Sequence, residues 1–171
     1  MRSFIRDVPD FPAPGILFKD ITPLLGDYAV FNEAIDAMIE PFLDRGVTKV
    51  VGVEARGFIF AAPIAVRLEA GFVPVRKPGK LPHDVHHQVY DLEYGQDRVE
   101  VHRDAATPSD NVLVVDDVLA TGGTGRATTD LIRALGAHVV GFSVLAELAF
   151  LGGRERLDGV EVHAVVRYGA S

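Results

Sequence analysis

Residues 112–124, Val-Leu-Val-Val-Asp-Asp-Val-Leu-Ala-Thr-Gly-Gly-Thr, constrain the fold more than any other stretch of the chain. Residues 111–115 are short, apolar and β-branched, as expected of a strand covered on both faces. That strand is expected to end at two carboxylates, Asp116 and Asp117, followed by a small-residue turn, Thr121 to Thr124, and an amphipathic run, Arg126 to Leu135. A turn without bulky side chains that opens a helix presents backbone N–H groups beside the positive end of the helix dipole, which suits a phosphate. Carboxylates at the carboxyl end of a strand lie where open α/β sheets bind ligands, and when ionised they only accept hydrogen bonds. Phosphate on the turn and hydroxyls on the carboxylates together describe a sugar phosphate.

Two common phosphate motifs are excluded. No Lys lies between Lys80 and the C-terminus, so the turn is not the Gly-rich, Lys-bearing loop of a P-loop nucleotidase. Gly122-Gly123-Thr124-Gly125 also lacks the Gly-x-Gly-x-x-Gly spacing of a dinucleotide turn. A nucleophile elbow fails at Gly141-Phe-Ser-Val-Leu145, where Leu145 stands in place of the second glycine, so Ser143 is expected in the core.

The rest of the chain alternates strands and helices. Proline and glycine crowd the first 27 residues, leaving irregular chain with at most a short helix before Pro9 and a small extended element over 15–20. Helical spacing runs from Tyr28 to Leu43, with Pro41 placed to shorten the last turn. A strand is expected over 49–53 and a helix from about Phe60 to Leu68, with Pro63 tolerable only in its first turn. Arg56 then sits at a strand-to-helix junction, beside the flexible Gly57, where its fork can meet a pyrophosphate. After a strand over 72–75, the basic segment Arg76-Lys-Pro-Gly-Lys-Leu-Pro-His83 reads as a lid carrying cations toward phosphates. His83, His86 and His87 lack a strong metal-ligand spacing. Gln88–Tyr94 and Arg98–His102 alternate around Gly95-Gln96-Asp97, a hairpin pattern with Glu93 and Tyr94 just before its turn. Strands are expected over 138–145 and 161–166, with a short helix near 153–157 between them. This order predicts a mainly parallel sheet flanked by helices, an N-terminal hood over residues 1–27, and a lid and hairpin over 76–102, all within one domain of 171 residues.

Composition narrows the partners. A net charge of −7 lacks the clustered cations that neutralise nucleic-acid phosphates. Without cysteine, thiolate catalysis is excluded. The longest apolar run, 58–66, is too short for a bilayer and contains Pro63, and the N-terminus has no signal core, so a cytoplasmic protein is expected.

Four segments taken together resemble one family: Phe11-Pro-Ala-Pro-Gly-Ile-Leu-Phe-Lys-Asp20; Glu54-Ala-Arg-Gly-Phe58; Arg76-Lys-Pro-Gly-Lys-Leu-Pro82 with Tyr90-Asp-Leu-Glu-Tyr-Gly95; and Val114-Val-Asp-Asp-Val-Leu-Ala-Thr-Gly-Gly-Thr124. The last is similar to the signature of type I phosphoribosyltransferases of many specificities. The first and third resemble the adenine-specific branch. The resemblance implies the type I fold, a homodimer, and transfer of phosphoribose from Mg²⁺-bound phosphoribosyl pyrophosphate to adenine, giving AMP and pyrophosphate. By the same resemblance, Ala120, Thr121, Gly122, Gly123 and Thr124 would hold the 5′-phosphate, and Asp116 and Asp117 the ribose hydroxyls. Arg56, Lys77 and Lys80 would meet the pyrophosphate, Arg56 in a loop where the family often has a non-proline cis peptide. Leu17, Phe18 and Lys19 would line the adenine site, Glu93 would handle the proton lost from adenine, and Tyr94 would close over the site. Lys19 stands where relatives often carry Arg, and His86-His87 where smaller polar residues are expected. Two rivals remain: the same transfer to another base, such as a 6-oxopurine or xanthine, and a regulatory module that binds phosphoribosyl pyrophosphate without turning it over.

Overall fold

The structure, a computed structural model, describes residues 1–91 and 96–169. Its contacts divide the chain into two compact units, Met1–Ala37 and Met38–Ser171.

The first unit holds a 3-10 turn, Arg2–Phe4, and a small antiparallel ladder of β1 (Arg6–Pro9) and β2 (Leu17–Asp20). A short helix α1 (Thr22–Leu25) follows, then α2 (Tyr28–Ile39), which runs on into the second unit. The expected helix to Leu43 is shorter than predicted, because at Pro41 the chain tightens into a 3-10 turn over Glu40–Phe42.

The second unit is built on five parallel strands in the order β4-β3-β7-β8-β9. These are β3 (Lys49–Val53), β4 (Gly71–Val75), β7 (Asn111–Leu119), β8 (His138–Leu148) and β9 (Val162–Tyr168). Alternation along them divides the core in two. Val51, Val53, Val112, Val114 and Val144 join Leu131 and Ile132 of α4 (Gly123–Ala134) in one buried cluster. On the other face Gly52 lies under α3 (Gly57–Arg67), where an added Cβ would come within 2.8 Å of Ala61 and 2.9 Å of Phe72. Both faces are covered, which is why these strands are near-continuous apolar runs. Between β4 and β7 stands an antiparallel hairpin of β5 (Val85–Asp91) and β6 (Gln96–His102), which packs against α4.

Strand β8 runs three residues past the expected 145, β9 covers Val162–Tyr168 and β5 begins at Val85, and three further boundaries that differ from the sequence reading bear on the site. Strand β7 does not stop at Val115. Its pairing with β3 ends there, opposite Gly52, but its pairing with β8 continues to Leu119 opposite Glu147. Helix α3 begins at Gly57, which leaves Pro63 inside it rather than in the first turn. Gln96 and Asp97, expected in the hairpin turn, belong to β6 and pair with Asp91 and Tyr90. Among the described residues no helix is long and apolar enough to cross a membrane.

Candidate active site

The centre of the site is where β7 outruns β3. Gly122 has φ 81°, a conformation that side chains rarely adopt, and it caps the N-terminus of the 12-residue α4. A Cβ on it would lie 2.3 Å from the Gly153 carbonyl oxygen, and one on Gly153 would lie 2.1 Å from the Ala120 carbonyl oxygen. Two backbones therefore meet without side chains between them. Under it lies a cavity of about 90 Å³ lined by Asp116, Ala120, Thr121, Gly122, Gly123 and Thr124 among others. A small cavity between helix N-terminus and strand end suits one phosphate-sized anion.

Gly153 carries no signal in the sequence beyond the dipeptide Gly152-Gly153, and its partner turn, 120–124, is distant in the chain. What holds it is its neighbour. Arg154 donates to both oxygens of Glu147, at 3.0 and 2.6 Å, and to the Val162 carbonyl at 2.5 Å. Glu147 is buried and also has Arg167 Nε at 3.0 Å. The hydrogen bonds from Arg154 hold its carboxyl below the usual range against the opposing effect of burial.

Asp116 and Asp117 occupy the stretch of β7 that β3 no longer covers. The Asp117 backbone N–H donates to Asp116 Oδ1 at 2.9 Å. Arg56 Nε lies 2.6 Å from Asp117 Oδ2, as a charge pair in which the N–H is not aligned as a hydrogen bond. Gly57 is needed here too, since a Cβ on it would stand 2.8 Å from Asp116 Oδ1. Asp116 keeps an edge toward the cavity, yet enclosure first and the Asp117 charge second push its carboxyl well up. Burial raises Asp117 as well, while Arg56 opposes it. The Glu54–Ala55 peptide before Arg56 is cis.

The basic segment after β4 is held by three acids, Glu54, Glu100 and Asp97. Glu54 accepts Arg76 Nε and Nη2 at 3.3 and 3.2 Å, the Lys77 N–H at 2.8 Å and Lys80 Nζ at 2.6 Å. Burial works to raise the Glu54 carboxyl, but these donors outweigh it and take it down to about 2. Glu100 on β6 exchanges two backbone hydrogen bonds with Arg76 and accepts the Gly79 N–H at 3.0 Å. Lys77 Nζ meets Asp97 and Tyr90 OH. Both lysines expected at the pyrophosphate thus lie in acid-bound positions.

Glu93 and Tyr94, expected to handle the proton and to close the site, lie outside the described residues. In the N-terminal unit, Phe18 packs edge-on against Phe11 with ring centroids 5.1 Å apart, and Leu17 is exposed. Lys19 points away from Phe18 along the pleat and is buried against Asp7 at 2.5 Å. Ser143 is buried, as expected of a core residue, and donates to the Met38 carbonyl at 2.7 Å. His83 stacks edge-on with His102, and among the described residues no three histidines or acids converge as a metal cage.

Comparison with known proteins bears on this geometry. The family described as "Phosphoribosyl transferase domain" matches residues 27–163. The curated "Adenine phosphoribosyltransferase" of Thermobifida fusca is 60% identical over 162 residues, covering 95% of this chain and 92% of that one. The crystal structure of adenine phosphoribosyltransferase from Rhodothermus marinus is 53% identical with a TM-score of 0.93, covering 97% of this chain and 95% of that chain. The Saccharomyces cerevisiae enzyme, solved with an imino-altritol bisphosphate and adenine, is 38% identical with a TM-score of 0.89, covering 94% and 93%.

Proposed function

This chain belongs to the phosphoribosyl transferase family, and from that premise we propose that it serves purine salvage by transferring the 5-phosphoribosyl group from phosphoribosyl pyrophosphate to adenine. AMP and pyrophosphate are the products. The observation that carries the donor is the cavity under the 120–124 turn with Asp116 on its wall. The near full-length likeness to chains named for adenine carries the acceptor.

In this reading Ala120, Thr121, Gly122, Gly123 and Thr124 bind the 5′-phosphate, and Asp116 and Asp117 accept or share protons with the ribose hydroxyls. The bond from C1′ to the pyrophosphate oxygen breaks and a bond from C1′ to the imidazole nitrogen of adenine forms. The proton on that nitrogen passes to Glu93. Arg56, Lys77 and Lys80 receive the charge that grows on pyrophosphate, the two lysines exchanging their present acids for it. Leu17 and Phe18 flank the base through backbone and ring, with Lys19 fixing β2 through Asp7. Tyr94 closes over the base and excludes water, which would otherwise hydrolyse the donor. Mg²⁺ would arrive on the donor, with no direct protein ligand, and Asp116 and Asp117 stay with the ribose hydroxyls; bound to the donor, the ion would supply neutralisation of the charge on the leaving pyrophosphate. A cytoplasmic homodimer acting as one functional domain completes the proposal.

The test is a base panel. Purified protein with Mg²⁺ and phosphoribosyl pyrophosphate is given adenine, hypoxanthine, guanine or xanthine, and nucleotide is quantified. AMP from adenine alone is expected. Product only from an oxopurine would overturn the acceptor, and no product from any base would favour the regulatory module.

A further inference from the structure

Tyr90 on β5 joins three parts of the site. Its phenolic oxygen accepts from Thr124 Oγ1 at 3.2 Å and from Lys77 Nζ at 2.8 Å, and it donates to Asp97 Oδ2 at 3.0 Å. A phenol has one proton and two lone pairs, so this hydroxyl is fully committed. Lys77 also reaches Asp97 directly and sits 5.4 Å from the Tyr90 ring centroid. The hairpin is thereby tied at Tyr90 to the first turn of α4, while Val99 and Val101 root β6 in the core.

Thr124 is the point of conflict. A threonine hydroxyl carries a single proton. A phosphate oxygen without a proton can only accept, so contact with the 5′-phosphate uses that proton. In the present arrangement the proton goes to Tyr90. The two acceptors exclude each other. A hydrogen bond to an ionised group is roughly twice as strong as one between neutral groups, so the phosphate prevails.

We propose that Tyr90 is a positioning residue whose hydroxyl competes with the substrate's 5′-phosphate for the Thr124 proton, so that filling the turn breaks the hydrogen-bonded tie between β5 and α4 and loosens β5 there. The proposal rests on the reading of 120–124 as the phosphate turn. Phosphate binding is then felt at the hairpin before adenine is engaged.

Ribose 5-phosphate is the probe, titrated calorimetrically into the parent and into Tyr90→Phe, with amide exchange followed along β5 and β6. The Phe substitution removes one neutral hydrogen bond that the ligand must otherwise break, so binding about three- to tenfold tighter is expected. Exchange in β5 should quicken in the parent on adding ligand, and be fast in the variant with or without it. In a Thr124→Val background the Tyr90→Phe change should no longer alter affinity, which a merely structural tyrosine would not produce. Equal or weaker binding by Tyr90→Phe, or parent exchange unmoved by ligand, overturns the competition. A parent that does not bind ribose 5-phosphate overturns the phosphate-turn reading instead.

Discussion

Asp116 shows how a proposed binding group can work against the fold that carries it. Its carboxyl is pushed up in the folded chain, so the folded state holds the proton more tightly than the unfolded one. Stability from this group is therefore present at low pH and lost as pH rises through the raised value. Asp116→Asn keeps the acceptor for the Asp117 N–H and removes the titration. We expect a Tm higher by about 2–4 °C at pH 7.5, for a gain on the order of 1 kcal/mol, together with a raised KM for phosphoribosyl pyrophosphate. Calorimetry and initial rates check the two halves separately. Gly122→Ala fails on both counts, because φ and the Gly153 carbonyl each reject a Cβ; a KM rise for the donor exceeding any change for adenine is its expected mark. Glu93→Gln should lower kcat by roughly 10²–10⁴ with KM for the donor little changed, the range for loss of a proton acceptor. The Asp pair and the Gly122 turn were legible in the sequence because chemistry and neighbours coincide there. Gly153, Glu147 and Arg154 were not, since their role exists only once β8 and the 120–124 turn are side by side.

At the scale of elements, the basic segment depends on Glu54. Its carboxyl lies at about 2 when folded and near 4.5 when free, so its contribution is complete above the free value and is lost as pH falls through the folded one. Glu54→Gln should unfold more easily at pH 7, with the gap to the parent closing between about pH 4.5 and 2. Thermal unfolding across that range measures it, and a gap that persisted at pH 2 would contradict the assignment. Strand β3, the short 3-10 turn at 153–157 and the opening of the α4 run were readable from pattern. The length of β7 was not, because two adjacent acids look like an end when the neighbour that extends the strand, β8, is unseen. Pro63 misplaced the start of α3 for a related reason. Burial of Phe60, Ala61, Ile64 and Ala65 offsets the roughly 3 kcal/mol that an interior proline costs.

For the whole molecule, the parallel order β4-β3-β7-β8-β9 sets the carboxyl ends of β3 and β7 together, and with them Arg56, Asp116 and Asp117. Alternation of strands and helices made that order legible as a class, although the pairing itself is a tertiary fact. The proposed homodimer predicts twice the chain mass of 18.5 kDa in solution, which light scattering measures directly. The central claim is transfer, as distinct from hydrolysis or simple binding, and product balance tests it most directly. With Mg²⁺ and phosphoribosyl pyrophosphate, pyrophosphate release should require adenine and match AMP one for one. Pyrophosphate released at the same rate without adenine, or no release with it, would contradict the account.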